Sequence, residues 1–553
     1  MPDDQPGQPR AHPAHVYWRR RAVLGGGVAF LGYEALRALG LTGSDSSHHS
    51  AMRGVTTSND AKPTTTSTTK PEATGDARNI IQIENAKPGT TDFAFPFDDN
   101  VEGAIEGYAN TDSARRGDNV RLFVSSTGTH FTVEAFRFGH YGGAGARRVW
   151  AKPEPVVASV QAPPVIDPDT NMRECQWLPS VDVTVGYDWT PGMYMFRLKS
   201  DNGGAHFIPL VVLDDRHAQL LVISAITTWN AYNTWGGGSL YEGDDGRSKV
   251  VSFDRPYDSS GSGHFFGGEF EFVQQVESMG IDVTYTTDID LHARPQQTTE
   301  HGYKCVVSLA HDEYYSLEMR QALESARDSG VNLMFLGANA CFRRIRLEPS
   351  PNGPHRREVN YRVAEDDPLN GVDDARVTTS WRNDPAPNPE SSLIGNFYES
   401  NPIDANMIVV DAGSWVFDGT GLNNGDVLPG LVGNEYDRVT PEMPTPPSIQ
   451  VLCHSPAVVK GKNTFADVTY YTADSGAGVF ATGTLWWEQH CGPLITQTPD
   501  ASKAENLVDW RVRRITANVL YVFLSGPAGK LHPSVPNLDA LGIFPHYIAD
   551  PPI

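Results

Sequence analysis

Two short segments of this chain combine side chains that bind metal ions or transfer protons. The first is His311-Asp312-Glu313-Tyr314-Tyr315-Ser316, which follows an apolar run and precedes a helical pattern. Polar, titratable groups at a strand-to-helix junction can hold an anion or a metal. Another interpretation is that Asp312 or Ser316 caps the helix and Glu313 favours its dipole. The second segment is Leu428 to Arg438, which places the carboxylate of Glu435 between glycine turns.

A third segment, Thr228 to Tyr241, is rich in aromatic, amide and glycine residues. Its candidate ligand-contacting side chains are Trp229, Asn230, Tyr232, Asn233, Trp235 and Tyr241. This composition is typical of a loop that lines a pocket. It equally suits a loop that packs on a neighbouring domain.

The elements between these segments predict where the side chains meet. Apolar runs at 220–225, 283–286, 305–309 and 332–336 alternate with helical patterns at 269–279 and 317–329. This order predicts a doubly wound, mostly parallel α/β sheet of the class I glutamine amidotransferase or flavodoxin-like type over residues 216–553. In such sheets the site lies beyond the carboxyl ends of the strands, where His311 to Ser316 and Thr228 to Tyr241 fall. A long helix is predicted at about 501–524.

Residues 80–215 have a different pattern, with short alternating runs separated by Gly, Pro and Asn. Val120 to Val124 and Phe131 to Ala135 show the period of two that is typical of half-buried strands. We predict an immunoglobulin-like β-sandwich for this region. Two strands, at 193–198 and 207–213, complete the pattern.

The N-terminal residues predict an export signal and a tether. Arg20-Arg21-Ala22-Val23-Leu24 precedes a short, glycine-rich apolar stretch, which resembles a twin-arginine leader within residues 1–41. Residues 42–79 are rich in Ser and Thr, and they predict a disordered linker. The protein is therefore expected to be secreted or associated with the cell envelope. An uncleaved N-terminal segment that tethers the protein to the membrane is the alternative.

Composition and missing motifs disfavour several classes of function. The net charge is −23, which opposes binding to nucleic acid. The sequence contains no Walker loop, no dinucleotide fingerprint after the first strand of the α/β domain and no H-E-x-x-H motif. No G-x-S-x-G elbow follows a strand, which disfavours a serine hydrolase. A homo-oligomer is compatible with the sequence.

These segments together resemble the large (β) subunit family of N,N-dimethylformamidase, in particular its C-terminal domain. The resemblance rests on Trp229 to Tyr241, His311 to Ser316, Leu333 to Asn339, Trp415 to Arg438 and Val479 to Thr484, and it extends to Phe136 to Tyr141 upstream. It covers most of residues 80–530. Many relatives of this domain are exported actinobacterial proteins without an assigned reaction.

The resemblance implies one iron ion held by two tyrosinates and a glutamate. Carried over to this chain, Tyr314 is one phenolate ligand and Glu435 is the carboxylate. The second tyrosine falls near Phe342, which has no oxygen, so Tyr315, His311 and Tyr436 are alternatives. With a metal present, Glu313 or His311 would act as general base or donate to the leaving amine.

The sequence supports two functions from different classes. The first is an exported, metal-dependent hydrolase of C–N amide bonds. The second is a non-catalytic extracellular protein whose Trp and Tyr side chains bind a glycan or peptide. A glycosidase with paired carboxylates among Asp312, Glu313 and Glu435 is a third hypothesis, which depends on a sugar-sized gap between two of them.

Overall fold

The computed structural model describes residues 77–93, 101, 103–440, 442–492 and 509–543 of the chain. The predicted leader and residues 42–76 of the predicted linker lie outside this part. So does the first part of the helix predicted at about 501–524, of which Trp510–Leu524 is described. Among the described residues, no helix is long and apolar enough to cross a membrane.

The first folded region consists of a short helix, two larger β-sheets and one two-stranded sheet. Helix α1, Ile80–Asn85, begins where Asn79 and Gln82 cap each other's backbone N–H groups. The strands are β1 Ile105–Ala109, β2 Ser113–Ala114, β3 Asn119–Ser126, β4 His130–Phe138, β5 Ala146–Ala151, β6 Val156–Val157, β7 Val165–Ile166, β8 Arg173–Glu174, β9 Val181–Thr184, β10 Gly192–Ser200 and β11 Ala205–Val212.

Two sheets of this region enclose one core. Strands β1, β3 and β9 form an antiparallel sheet, and the other sheet has the order β2-β11-β10-β4-β5, with β6 beside β4. Val124 of the first sheet and Val133 and Leu198 of the second belong to the same apolar cluster. The strands predicted from period-two alternation are therefore present. The immunoglobulin-like class and the domain boundaries stay predictions.

The second region contains most of the helices and the longest sheet. Its strands are β12 Leu220–Ser224, β13 Val250–Ser252, β14 Val283–Thr287, β15 Cys305–Leu309, β16 Tyr314–Ser316, β17 Asn332–Leu336, β18 Arg343–Ser350, β19 Gly353–Val359, β20 Phe397–Ile408, β21 Val427–Arg438, β22 Gln450–Val459, β23 Lys462–Thr472 and β24 Gly478–Ala481. Its helices are α2 Ile226–Tyr232, α3 Phe270–Ser278, α4 Asp288–Ala293, α5 Gln297–Glu300, α6 Leu317–Asp328, α7 Ser391–Ile394 and α8 Trp510–Leu524.

Seven strands form the central sheet, in the order β14-β12-β15-β17-β24-β23-β22. The pairs from β14 to β24 are parallel, whereas β24-β23 and β23-β22 are antiparallel. Alternate side chains of β12 face two different cores, because successive residues of a strand point to opposite faces. Val222 packs in the core that includes Val276 of α3, and Ile223 packs in the core that includes Leu323 of α6.

The predicted fold class is wrong, although the predicted strands and helices between 220 and 336 are present. Strands make up 35% of the structure and helices 21%, and the strands are divided among several small mixed sheets rather than one doubly wound, flavodoxin-like sheet. The difference arises after β17. Residues 337–477 form β18 to β23 before β24 returns to the central sheet. Their irregular, bulged strands carry no long apolar run, so the sequence pattern did not reveal them.

Two of the small sheets position the candidate site. Strand β16 pairs in parallel with β18, which continues through β19 to β13. Tyr314 lies opposite Arg343 in this pairing. Strands β20 and β21 form a separate antiparallel ribbon with several register shifts. The ribbon carries Asn401 and Glu435 toward the loop that precedes β16.

Candidate functional site

The turn that follows β15 directs His311 into the site. Ala310 has a φ of 51°, in the left-handed region, and its N–H donates to the Leu336 carbonyl at 3.0 Å. Gly337 lies against this turn, and a Cβ at that position would come within 1.7 Å of the Ala310 carbonyl oxygen. The two loops that follow the neighbouring strands β15 and β17 can therefore meet only because residue 337 is glycine.

Backbone hydrogen bonds fix Glu313 from both sides. The N–H groups of Phe342 and Arg343 donate to the Glu313 carbonyl at 3.0 and 2.9 Å. The Glu313 N–H donates to the Thr228 hydroxyl on helix α2 at 2.9 Å. Because α2 also ends in Tyr232, this bond joins the helix that carries the tyrosine to the loop that carries the carboxylate.

Two tyrosine hydroxyls converge on the carboxylate of Glu313. Tyr232 donates to Oε2 at 2.8 Å, and Tyr241 lies 2.7 Å from Oε1 and 2.6 Å from Oε2. The two phenol rings are stacked, with their centroids 4.2 Å apart. The side chain of Glu313 is 1% exposed, and the two tyrosines that contact it are half-buried.

His311 connects this cluster to a second carboxylate. Its Nε2 lies 3.3 Å from Oε2 of Glu313 and 3.4 Å from Oε2 of Glu435. Asn401 donates to the other oxygen of Glu435 at 2.9 Å, which fixes that carboxylate on the ribbon. Asn339 places its amide nitrogen 3.5 Å from the same imidazole nitrogen. The imidazole therefore lies between two carboxylates on different elements.

Burial and neighbouring charges shift the pKa values of His311 and Glu313 in opposite directions. Burial opposes the charged imidazole, but Glu435 and Glu313 outweigh it and raise the pKa of His311 to about 10. Burial likewise opposes the Glu313 carboxylate, but His311 and Arg343 lower its pKa to about 2. Burial and the Glu313 charge raise the pKa of both Tyr232 and Tyr241 well above their usual range. At neutral pH the site therefore holds a protonated imidazole, an ionised Glu313 and two protonated phenols.

Two arginines border the cluster on the side of β18 and β19. Arg343 places Nε 3.5 Å from Oε1 of Glu313 and donates from Nη1 to the Ser380 hydroxyl at 3.1 Å. The guanidinium of Arg362 lies 4.1 Å above the ring of Tyr241. The sequence interpretation identified neither arginine, because nothing in the local pattern marks them.

The predicted metal ligands Tyr314 and Glu435 occupy different positions from those expected. The ring of Tyr314 meets Tyr232 and Tyr241 edge to face, at centroid distances of 6.4 and 6.2 Å, and its hydroxyl donates no hydrogen bond to Glu313. Glu435 contacts His311 instead of a tyrosine hydroxyl. The two tyrosine hydroxyls that the structure brings to a glutamate carboxylate are those of Tyr232 and Tyr241, and the carboxylate is that of Glu313.

The alternatives for a second tyrosine point elsewhere. Tyr315 donates to Asp312 at 2.6 Å, and Tyr436 donates to Glu399 at 2.5 Å. The tyrosine that lies beside Phe342 is Tyr398, at a ring distance of 5.2 Å. Its hydroxyl accepts from Asn401 at 3.1 Å, next to Glu435.

The remaining predicted contact residues stabilise the loop rather than line the site. Trp229 is 4% exposed and stacks with His264, at 6.1 Å between ring centroids. The oxygens of Asn230 face the buried Arg255, and the amide of Asn233 donates to the Pro256 carbonyl at 2.9 Å.

Trp235 packs edge to face on Trp177 of the first region, at 6.0 Å. The Thr228–Tyr241 segment, which begins in α2 and continues as a loop, therefore has two roles. Thr228, Tyr232 and Tyr241 contact Glu313, whereas Trp235 packs on the first region. Trp235 fits the alternative prediction, in which this segment packs on a neighbouring domain.

Paired carboxylates for glycoside hydrolysis are not available here. Asp312 accepts hydrogen bonds from Ser308 at 2.7 Å and from Tyr315, so it faces away from Glu313. Glu313 and Glu435 both contact Nε2 of His311, so an imidazole lies between these two carboxylates where a glycosidase would hold the sugar.

The donor types decide what kind of metal site is possible. In the described ranges, no group of three or more His, Cys, Asp or Glu side chains is arranged to hold a metal ion. A metal at this site would therefore need tyrosine oxygens among its ligands. Two phenols and a carboxylate that already share one point of convergence fit that requirement.

The chain belongs to the family described as N,N-dimethylformamidase beta subunit-like, C-terminal, which matches residues 132–496. No curated protein matches it. A cycloisomaltooligosaccharide glucanotransferase from Paenibacillus sp., solved with cycloisomaltoheptaose, aligns over 69% of this chain and 68% of its own. The identity is 7% and the TM-score 0.17, so this alignment carries no argument about fold or function.

Proposed function

We propose that this protein is a metal-dependent hydrolase that cleaves the C–N bond of a small amide. The observation that carries the proposal is the convergence of Tyr232 and Tyr241 on Glu313, beside the His311–Glu435 pair. This is the two-tyrosine, one-glutamate donor set that the family resemblance implies for iron. We therefore assign the ligands to these three residues instead of Tyr314 and Glu435.

The donor chemistry suits a hard cation. Phenolate and carboxylate are oxygen ligands, and hard metal ions prefer oxygen. The stacked rings of Tyr232 and Tyr241 hold both hydroxyls on one carboxylate, so the ligands are arranged before a metal arrives. Without a metal, both phenols keep their protons, and a nearby cation would favour loss of those protons.

When bound, a metal ion would polarise the amide carbonyl and lower the pKa of a coordinated water. The protein groups then move the protons. Glu435 would accept the proton of the attacking water, and the protonated His311 would donate its own proton to the amine nitrogen as the C–N bond breaks. His311 would then regain a proton from Glu435. The products are a carboxylic acid and an amine, and the protein returns to its starting protonation state.

Burial limits the substrate to a small molecule. The side chains of His311, Glu313 and Glu435 are 7%, 1% and 3% exposed. The alternative of a glycan- or peptide-binding protein needs an exposed aromatic cleft. Trp229 is buried and Trp235 packs on Trp177, so these aromatics do not support that alternative.

The proposal is tested by the metal content of the purified full chain. We expect about one iron or other transition-metal ion per chain in the wild type, and a large loss in Tyr232→Phe, Tyr241→Phe and Glu313→Gln, because each change removes one oxygen ligand. Plasma mass spectrometry measures the metal, and circular dichroism checks that each variant is folded.

Tyr314→Phe is the matched control, because Tyr314 is a buried tyrosine of the same cluster that donates nothing to Glu313. It should keep its metal. A wild type that is folded and metal-free after expression with iron would overturn the proposal. Loss of metal in Tyr314→Phe together with retention in Tyr241→Phe would overturn the ligand assignment.

A further inference from the structure

We infer that the substrate of this site carries a carboxylate a few bonds away from the scissile amide, and that Arg343 and Arg362 bind it. The inference rests on the proposed function for the position of the amide. Its own basis is an excess of positive charge on one side of the Glu313 cluster. That excess does not follow from composition, since the whole chain has a net charge of −23.

Two hydrogen-bond donor nitrogens of Arg362 have no acceptor in the described part of the chain. Its Nε and Nη2 are buried and have no hydrogen-bond partner among the described residues. The groups that act on it are the phenols of Tyr314 and Tyr241 and the carboxylate of Glu313. A buried donor without an acceptor is costly, so a built site with such donors is arranged for a ligand.

The backbone at Arg362 supports the same conclusion. Its φ of 67° lies in the left-handed region, which is unfavourable for a residue with a long side chain. Arg247 holds this turn by donating to the carbonyls of Asn360 and Tyr361. The strained conformation places the guanidinium over Tyr241 instead of in solvent.

More cationic and hydrogen-bond-donating groups surround the carboxylate of Glu313 than its single charge can neutralise. Glu313 faces Arg343 and Arg362, and it already accepts from Tyr232 and Tyr241 while it contacts His311. Two guanidinium groups therefore share the single charge of Glu313. A planar oxyanion matches the fork of donors on arginine better than a neutral group does.

Geometry sets where the anion lies relative to the amide. The Arg362 guanidinium covers the ring whose hydroxyl bonds to Glu313, so it lies about one aromatic ring away from the proposed metal ligands. Arg343 is 18% exposed, whereas Glu313 is 1% exposed. Arg247 also lines a surface groove of about 410 Å³, together with Lys249, Asp169 and Asp245. The arginines thus lie on the solvent side, and a substrate would enter with its amide first.

Small N-acyl amino acids have the chemistry that this arrangement favours. The probes are N-acetylglycine, which is an anion, and N-acetylglycinamide, which is neutral and nearly the same size. Calorimetry on the metal-free full chain should show that the anion binds roughly tenfold or more tightly than the neutral amide, because charge-assisted bonds to arginine are the stronger ones.

Arg362→Gln should remove this preference, and Arg362→Lys should restore part of it by returning the charge without the fork. Arg357→Gln is the matched control, because Arg357 lies on β19 and pairs with Glu174 outside the site. It should bind like the wild type. Equal binding of the two probes to the wild type would overturn the inference, and so would an unchanged preference in a folded Arg362→Gln variant.

The two proposals fail in different ways. Binding of the anion by a chain that never acquires metal would leave this inference standing and overturn the hydrolase. Metal binding and hydrolysis of neutral amides without preference for the anion would leave the hydrolase standing and overturn this inference.

Discussion

At the scale of the residue, the site depends on one imidazole between two carboxylates that differ in their other partners. Glu313 accepts from two phenols, whereas the second oxygen of Glu435 has His311 as its contact. Glu435 is therefore the carboxylate that is available to accept a proton from water. Glu313 already accepts hydrogen bonds from Tyr232 and Tyr241.

Glu435→Gln should consequently lower kcat by about 10²- to 10⁴-fold, the usual contribution of a general base, while metal content stays unchanged. Steady-state kinetics with a small amide, read beside the metal analysis, provide the measurement. Glu399→Gln is the control, since Glu399 lies on the same ribbon and pairs with Arg438 away from His311. A Glu435→Gln variant with wild-type kcat would contradict the assigned role.

At the scale of the element, the site needs the two loops after β15 and β17 to touch. The Ala310 turn and Gly337 are in direct contact, and the Asn339 N–H then donates to the Asp437 carboxylate at 2.8 Å, which joins this loop to the ribbon. The order of strands in the central sheet makes β15 and β17 neighbours. Close backbone approach, rather than a side-chain contact, is what positions His311.

Gly337→Ala should therefore destabilise the protein by about 1–3 kcal/mol and reduce activity further than stability alone explains, because the added methyl group must displace the turn that carries His311. Denaturant unfolding gives the free energy, and kinetics give the activity. Gly263→Ala is the control, because a Cβ there has open space around it. Equal stability and equal activity of the two variants would show that the close approach is unimportant.

At the scale of the whole molecule, a buried ion pair joins the two folded regions. Arg137 of β4 donates to Glu277 of α3 at 2.6 Å, and both side chains are fully buried. Beside this pair, within the first region, Glu84 of α1 accepts from Arg147 at 2.6 Å and from Tyr141 at 2.8 Å. Removal of one partner from such a pair is strongly destabilising, since it leaves an uncompensated charge.

Glu84 also makes the stability of the molecule depend on pH. Burial alone would raise the pKa of Glu84, but Arg137, Arg147 and Lys87 hold it at about 2. An unfolded glutamate has a pKa of about 4.3, so the unfolded chain binds more protons between these values, and Glu84 contributes about 3 kcal/mol above that range. This stabilisation is lost as the pH falls from about 4.3 through 2.

Glu84→Gln should accordingly be less stable than the wild type at pH 7, and the difference should shrink as the pH falls below about 4.3. Denaturant unfolding at a series of pH values provides the measurement. Glu134→Gln, which removes a carboxylate from the middle of β4, where it pairs with Arg148 and Arg197, tests whether the effect belongs to the Glu84 cluster. A difference that is constant from pH 7 to pH 3 would contradict the role of ionised Glu84.

Local patterns in the sequence determined the family, most of the strands and helices up to residue 336, and the segments that carry the site. The motif His311 to Ser316 and the loop Thr228 to Tyr241 both contribute side chains to it. Such patterns are readable because strand burial has a period of two and helix burial a period near four, whatever the tertiary context.

Tertiary structure alone decided which oxygens face one another. Tyr232, Tyr241 and Glu313 are distant in sequence from Glu435 and Arg362, and their meeting depends on strand order, the close approach at Gly337 and the ribbon of β20 and β21. Local sequence could not show which of Tyr314 and Tyr232 directs its hydroxyl at Glu313, because both are aromatic residues beside the same cluster. Only the direction of each hydroxyl distinguishes them, and that direction is set by long-range packing.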